Sequence, residues 1–229
     1  MTVRVGILVF PQVQQLDLTG PYEVFASAEG VRVDLVAKSL APVPSSTGLA
    51  FAPTLDFAGC PPLDVLCVPG GGGVNALLED PETLDFVRRQ AKGARFVTSV
   101  CTGALVLAAA GLLAGVRATT HWNAHDFLAR LGAVPETGRL VRDGRFITAG
   151  GVTAGIDFGL AVVAALVGRD EAETVQLALE YAPAPPFDAG TPQTASPAIL
   201  DRAKARLAAS RAAREAIVGR IAPGEAAQS

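Results

Sequence analysis

Short apolar runs alternate along the chain with longer segments whose apolar residues recur at helical spacing. Four of the runs are largely apolar and a fifth alternates apolar and polar residues, so all five are predicted to be strands. The predicted strands cover residues 3–10, 31–37, 64–68, 95–100 and 146–149. Alternating strands and helices are typical of a parallel sheet covered by helices. The pattern therefore predicts an α/β fold.

Helical periodicity fills most of the segments between these strands. The predicted helices cover residues 20–28, 82–92, 102–110, 123–131, 153–167 and 172–179. Residues 182–197 hold five prolines, which exclude a continuous helix, and Phe187 gives this segment a side chain to bury. An amphipathic helix rich in Ala and Arg is predicted over 198–221, with a frayed tail over 222–229. We expect one domain over residues 1–229.

Composition and charge narrow the classes of protein that fit this pattern. Hydrophobic residues make up 50% of the 229 residues and charged residues 18%, which excludes intrinsic disorder as the main state. The formal net charge is −3 and no basic run occurs, so nucleic-acid binding has no electrostatic footprint. No apolar stretch reaches the ~18–20 residues of a membrane span, and residues 3–10 are interpreted as a strand, not a signal peptide. With three cysteines and no C-x-x-C pair, we expect a cytoplasmic protein with reduced thiols.

Cys101 lies where a predicted strand ends and a helix begins, directly after Val100. Ser99 and Gly103 flank it two residues away on either side, as glycines do in the G-x-S-x-G nucleophile elbow. The reason is steric, because a sharp turn that pushes the nucleophile outward leaves no room for bulky neighbours. A thiol at a helix N-terminus also faces free N–H groups, which predicts a pKa below that of a free cysteine.

The alternative interpretation is that Cys101 is a small buried hydrophobe, the commoner role of a cysteine. We expect that role for Cys67, which lies within a predicted strand, and Cys60 has no chemical context before two prolines. The neighbours of Cys101 favour a functional role for it alone among the three.

A glycine-rich loop over residues 70–73 follows the strand at 64–68. It fits G-x-G-x-x-A at Gly71, Gly73 and Ala76, but no acidic residue closes the following strand and no Lys-Ser/Thr follows. A dinucleotide or P-loop site is therefore not favoured. Two interpretations stay open: a permissive turn, or a nest of backbone N–H groups that faces the elbow and stabilises negative charge.

The two histidines, His121 and His125, are four residues apart, a spacing that suits a metal when both lie on one helix face. The helix is predicted to begin near Asn123, no carboxylate follows as in H-E-x-x-H, and no third ligand is evident. We therefore expect no metal site, and we interpret the histidines as structural or pocket-lining residues.

Asp17 is the candidate acid or base, since the residue directly after Cys101 is Thr102 and not histidine. It is predicted in the loop that leaves the first strand, at the sheet edge where the elbow also emerges. A helix N-cap is the alternative role for an aspartate in this position. Thr19 lies closer to the predicted helix start and can cap it, which leaves Asp17 free for chemistry.

Three of these segments together resemble the DJ-1/PfpI superfamily: Ser-Val-Cys-Thr-Gly-Ala at 99–104, Pro-Gly-Gly-Gly at 69–72, and Gln-Leu-Asp-Leu-Thr-Gly-Pro at 15–21. The similarity continues through 118–122, 148–157 and 180–190, and so covers nearly the whole chain except the tail. Within the superfamily, the chain is most similar to the isonitrile hydratase branch. The N-terminal sensor domains of certain AraC-type regulators carry similar elbows and Thr-Thr-His-Trp segments.

The resemblance implies a flavodoxin-like sandwich, a homodimer, and hydration of a small isonitrile without a cofactor. It implies that Cys101 is the nucleophile and Asp17 the general acid and base. Thr102 and the Gly72 amide would supply donors to anionic groups. The candidate pocket residues are Gly71, His121, Trp122 and Gly150. The peptidase-like branch has a histidine after the cysteine and a glutamate as the acid, so Thr102 and Asp17 disfavour peptidase, deglycase or glyoxalase activity.

Two other functions fit the same residues. The chain could be a ligand-sensing module that keeps the pocket without turnover, although its single final helix is not a DNA-binding domain. It could also be a redox sensor whose cysteine oxidises to sulfinic acid. The many Ala and Val residues favour an apolar substituent on the substrate.

Overall fold

The structure, a computed structural model, describes residues 2–222 of the chain. The strands of the main sheet are β1 (Val3–Leu8), β2 (Val31–Ala37), β5 (Leu55–Asp56), β6 (Val65–Val68), β7 (Phe96–Val100), β10 (Leu140–Asp143) and β11 (Phe146–Ala149). They pair in the order β10-β11-β7-β6-β1-β2-β5. Every neighbouring pair is parallel except β10 and β11. Two short ladders join β3 (Val43–Pro44) to β4 (Ala50–Phe51) and β8 (Arg117–Ala118) to β9 (Val134–Pro135).

Helices cover the sheet. They are α1 (Gln15–Ala26), α2 (Val74–Leu77), α3 (Pro81–Gly93), α4 (Gly103–Ala109), α5 (Asp126–Arg130), α6 (Ala154–Leu166), α7 (Arg169–Ala178) and α8 (Pro197–Ile221). One group packs α1 against α6 and α6 against α7, while α4 packs against α2, α3 and α5 in a second group. Helix α8 contacts α2, α5 and the 3₁₀ turn at Trp122–Ala124. None of the helices in the described part of the chain is long and apolar enough to cross a membrane.

The central strands of the sheet are shielded from water because helices cover both of its faces. Every residue of β6 and β7 is buried, as expected of parallel strands with helices on both sides. On one side, Phe25 and Phe158 meet edge to face with their ring centroids 5.8 Å apart. Gly159 allows the close approach of α6 to α1, since a Cβ there would lie 2.9 Å from the Cβ of Val24. This packing fixes the position of α1 relative to the sheet.

The direction of the chain reverses at β1. From β1 it passes to β2 and β5 on one side, and then returns to β6 on the other side. In open α/β sheets such a reversal leaves a crevice at the carboxyl ends of the strands, where ligands bind. The segments that follow β1, β6 and β7 carry the candidate residues of the sequence analysis, so the topology brings them to one edge.

The predicted strands and most predicted helices are confirmed to within a few residues, and the mostly parallel α/β sheet with them. The structure adds β5, β10, the helix α2 and the four short ladder strands, which are too short to have a distinct periodicity. The single helix expected over 123–131 is wrong. It is divided into the 3₁₀ turn at Trp122–Ala124 and the helix α5.

Helix α1 begins at Gln15, five residues before its predicted start, and this moves Asp17 out of a loop and into the first helical turn. The prediction used Pro21 as a first-turn residue, but Pro21 lies inside the helix. Pro21 lacks the N–H that a helix interior normally uses, yet α1 continues through it because the helix packs against α6. A Cβ on Gly155 of α6 would lie 2.9 Å from the Cδ of Pro21.

The proline-rich segment runs over 182–196 without regular secondary structure, and α8 follows it at Pro197. Phe187, the side chain that this segment offers for burial, is 79% exposed in the single chain. Of the predicted tail, residues 223–229 lie outside the described part.

Candidate active site

Cys101 occupies a sharp turn between β7 and α4 with a φ of 53°, a left-handed conformation that is rare for residues other than glycine. Its amide donates to the Ala149 carbonyl (2.9 Å), and its own carbonyl accepts a hydrogen bond from the Thr120 hydroxyl (2.7 Å). Gly103 is required at the next turn, because a Cβ there would lie 2.0 Å from the Val68 carbonyl oxygen. The turn thus has the close approach that the sequence predicted for an elbow.

Asp17 is fully buried in the first turn of α1. Its Oδ2 accepts a hydrogen bond from the Gly70 amide (2.9 Å), whereas Oδ1 has no partner within residues 2–222. Burial raises the pKa of Asp17 to about 7, against the opposing effects of the Gly70 amide and the nearby Cys101. A carboxyl group with such a pKa gives up and takes back a proton near neutral pH.

Cys101 and Asp17 form a coupled pair, which we call the sheet-edge pair. Burial raises the pKa of the Cys101 thiol well above its ordinary value, and the charge of Asp17 raises it further. The amide and the hydroxyl of Thr102 oppose these effects by donating to the sulfur. The expectation of a lowered thiol pKa is therefore wrong for Cys101, because it left out burial and the neighbouring carboxylate. Two anions side by side in this buried place repel each other, so the form in which both groups are ionised is disfavoured.

The glycine-rich loop brings backbone donors to this pair. The Gly71 amide donates to the Thr102 hydroxyl oxygen (3.1 Å), which leaves the hydroxyl proton directed at Cys101. Gly70 has no room for a side chain, since a Cβ there would lie 2.6 Å from the Thr102 nitrogen and 2.7 Å from Asp17 Oδ2. The Gly72 amide donates to no other described residue. Gly70 and Gly71 thus serve protein side chains, whereas Gly72 lines the cavity and its amide has no partner in residues 2–222.

A cavity of about 200 Å³ opens above Cys101. It is lined by Gln14, Gly71, Gly72, Cys101, Thr102, His121, Asn123, Val152, Leu207, Ser210 and Arg214. Six of these residues have polar side chains, although apolar atoms make up most of the surface of the cavity. Two candidate pocket residues are not in this set. Trp122 lines a separate depression beside α8, and a Cβ on Gly150 would face the Gly138 and Thr120 carbonyl oxygens.

The histidines do not form a pair. His121 lines the cavity, and burial together with the charge of Arg214 lowers its pKa, which favours the neutral ring. Its Nδ1 accepts a hydrogen bond from the Asn123 amide (3.3 Å). His125 instead contacts the Glu136 carbonyl oxygen at 3.1 Å. Across residues 2–222 there is no cluster of three metal-ligating side chains.

Arg214 is the cavity residue that sequence reasoning missed. It lies on α8 with only 5% of its surface exposed, while most arginines of that helix are at least partly exposed. A signal was present in the spacing. Arg214 is seven residues from Leu207 and four from Val218, which places all three on the inward stripe of the helix. We name the part of the cavity formed by Leu207, Ser210 and Arg214 the α8 wall.

Comparisons with known proteins agree with this geometry. The sequence profile of the DJ-1/PfpI family matches residues 3–165. The isonitrile hydratase of Pseudomonas putida is 61% identical over 222 residues, which cover 97% of each chain. A crystal structure of a THiJ/PfpI family protein from Pseudomonas syringae superposes with a TM-score of 0.93 at 44% identity, over 96% of this chain and 91% of the other.

A more distant structure, Drosophila melanogaster DJ-1beta, superposes with a TM-score of 0.71 at 24% identity. It covers 80% of this chain and 100% of the other, and at this identity the likeness concerns the fold alone. The resemblance first noted at the elbow, the glycine-rich loop and Asp17 is thus confirmed over most of the sequence: the chain belongs to the DJ-1/PfpI family.

Proposed function

We propose that this chain hydrates isonitriles, R–N≡C, to N-substituted formamides, R–NH–CHO. One observation carries the proposal: a buried thiol lines a small cavity beside a buried carboxyl, and burial raises the pKa of both groups. In the proposed mechanism the two groups hold one proton between them. The terminal carbon of an isonitrile is a weak electrophile that also carries a lone pair. Its hydration therefore needs a nucleophile and a proton at the same atom, which the sheet-edge pair supplies. The extensive identity to a named isonitrile hydratase supports the same reaction.

The first step consumes the shared proton. Cys101 Sγ forms a bond to the terminal carbon, and the proton passes through Asp17 to the same carbon. The product is the thioimidate Cys–S–CH=N–R, with Asp17 as the carboxylate. The pKa of about 7 suits Asp17 for this transfer, since a carboxyl with an ordinary pKa would rarely hold the proton at neutral pH.

The second step uses the same carboxylate as a base. Asp17 takes a proton from water while the water oxygen bonds to the thioimidate carbon, and the nitrogen then receives that proton. The hydroxyl of the resulting intermediate returns a proton to Asp17 as the carbon–sulfur bond breaks. The formamide leaves, and the sheet-edge pair again holds one proton.

Two sets of donors support the anions that form along this path. The amide and hydroxyl of Thr102 face the sulfur and stabilise the departing thiolate. The unbonded Gly72 amide lines the cavity and is placed to donate to the substrate nitrogen. Every group in the sequence of steps belongs to the protein, the substrate or water, so we propose that neither a metal nor an organic cofactor takes part.

An assay with a neutral substrate tests the proposal. Purified enzyme and Cys101→Ala are incubated with cyclohexyl isonitrile, and formamide release is followed by chromatography. We expect turnover by the wild type alone. Parallel assays for aldehyde removal and peptide cleavage test the activities of other family branches. Binding of the isonitrile without turnover would contradict the proposal and would favour a ligand-sensing module.

A further inference from the structure

Arg214 is a buried cation without a matching anion. Its strongest hydrogen bond in the described chain joins Nη2 to the Ser210 hydroxyl at 3.5 Å, and its Nε has no partner there. Other arginines of α8 differ. Arg211 pairs with both oxygens of Asp126, and Arg220 with both oxygens of Glu79. Arg214 thus keeps most of its donors free while being the most buried arginine of the helix.

This arrangement reduces the free energy of unfolding. A guanidinium taken out of water loses free energy that only hydrogen bonds and a counter-charge can restore. Burial accordingly lowers the pKa of Arg214. Cys101 of the sheet-edge pair is the acidic group that acts on Arg214 electrostatically, but its sulfur faces the donors of Thr102 and it forms no hydrogen bond to Arg214 in the described chain. The planar guanidinium of Arg214 therefore has no carboxylate partner within residues 2–222.

The location of the Arg214 guanidinium indicates which ligand group it would bind. Arg214 lines the same cavity as Cys101, so a substrate whose terminal carbon reaches the sulfur places its substituent in the space that Arg214 borders. At about 200 Å³ this cavity lies below the ~300–1,000 Å³ typical of pockets for drug-sized ligands, so the substituent is small. The group that a guanidinium fork binds best is a carboxylate, through two parallel hydrogen bonds.

We propose that Arg214 is a specificity-determining residue that binds a carboxylate on the substituent of the isonitrile. The preferred substrates are then small isonitrile carboxylic acids, and not the purely apolar isonitriles that the composition suggested. This inference rests on the proposed hydration activity and names the substrate class of that same cavity. Arg214 recognises the part of the substrate that does not react, while the sheet-edge pair carries out the chemistry.

Matched substrates test the inference. The kcat/KM of the wild type is measured for isocyanoacetate and for its uncharged methyl ester, which has the same chain and isonitrile group. We expect the carboxylate to be favoured by about tenfold or more, the scale of a charge-assisted hydrogen bond. Equal values, or a preference for the ester, would overturn the inference even if both substrates are hydrated.

Two variants locate the preference. Arg214→Met keeps an unbranched side chain of similar length but has no charge or donor, and we expect its kcat/KM to fall about tenfold more for isocyanoacetate than for the ester, so that the preference is lost. Arg206→Met removes an exposed arginine from the same helix and should keep the preference. Equal losses on both substrates in Arg214→Met would place Arg214 in the support of the sheet-edge pair and overturn its role in specificity.

Binding without turnover separates this inference from the proposed function. N-formylglycine, the product expected from isocyanoacetate, should raise the melting temperature of the wild type and of Arg206→Met but not of Arg214→Met. If neither isocyanoacetate nor its ester is hydrated but this pattern holds, the proposed function fails and the carboxylate site stands. If the ester is hydrated and N-formylglycine has no effect on any variant, the carboxylate site fails alone.

Discussion

The sheet-edge pair and the α8 wall face the same cavity but differ in how their polar groups are satisfied. At the sheet edge, Asp17 Oδ2 accepts a hydrogen bond from the Gly70 amide and Cys101 faces the donors of Thr102, while Asp17 Oδ1 is the one oxygen of the pair without a partner in residues 2–222. On the α8 wall, Arg214 is buried with most of its donors free. Side chains that hydrogen bonds hold in place suit a reaction that needs fixed geometry. A guanidinium with unbonded N–H groups suits the binding of a substrate group.

The two regions also differ in their relation to the family. The family profile covers residues 3–165, which contain Asp17, the glycine-rich loop and Cys101, and it ends before α8. The part shared with the family thus carries the proposed chemistry, and a helix outside the profile supplies a wall of the cavity.

The largest effect is expected at the nucleophile. Cys101→Ala removes the attacking sulfur, so we expect turnover of any isonitrile to fall by on the order of 10³-fold or more. Intact-mass spectrometry after acid quench should detect no covalent adduct. Cys60→Ala removes a half-buried thiol outside the cavity and should leave both readouts unchanged. Turnover by Cys101→Ala would show that the pair does not carry the chemistry.

A smaller effect is expected at the acid. Asp17→Asn keeps the shape of the side chain but moves no proton, so we expect turnover to fall by on the order of 10²-fold. If the attack of water is slowed more than the attack of sulfur, mass spectrometry detects enzyme that carries one substrate. Near-normal turnover would make Asp17 a structural residue of α1, and the acid would have to be another group.

The same substitution separates function from stability. The pKa of Asp17 is about 7 in the folded protein, against an ordinary value of 3.8, so folding favours the protonated form. The stability from this proton is complete below about pH 4 and is lost as the pH rises to about 7, an effect on the order of a few kcal/mol. Asp17→Asn should therefore be more stable than the wild type at pH 8, with the difference disappearing towards pH 4.

Urea unfolding at a series of pH values measures this difference. Asp201→Asn changes an exposed aspartate on α8 and serves as the control, for which we expect no pH-dependent gain. A gain in Asp17→Asn that does not depend on pH would contradict the assignment of the raised pKa to its burial. The expected result would mean that the sheet-edge pair costs stability in exchange for a proton held near neutral pH.

The smallest effect on turnover is expected at Phe187, which is far more exposed than the groups of the cavity. We predict a homodimer, because the side chain is 79% exposed and a partner that covers it would bury apolar surface. Light scattering at micromolar concentration should give twice the chain mass of 23.4 kDa. Phe187→Ser should weaken the dimer and change kcat/KM by less than about twofold. A monomer mass for the wild type would contradict the dimer.

The sequence alone predicted the role of a residue where that role depends on the residues next to it in the chain. The elbow was predictable because Ser99 and Gly103 are small on either side of Cys101, and the tight approach of Gly103 to Val68 has the same steric cause. The position of Asp17 in the chain pointed to the right sheet edge. Its place in the first turn of α1 was not predictable, because Pro21 normally begins a helix and here lies inside one.

By itself, the sequence determined the α/β alternation, the sharp turn at Cys101 and the order of strands and helices, since these follow from short-range periodicity and steric limits. Only the tertiary structure decided the electrostatics. The pKa values of Asp17 and Cys101 depend on burial and on each other, although 84 positions separate them. In the sequence, Arg214 is one of several arginines in a predicted helix. Only the folded structure places it in the wall of the Cys101 cavity, without a carboxylate partner in the described chain. Desolvation acts through space, and that is why local sequence could not predict it.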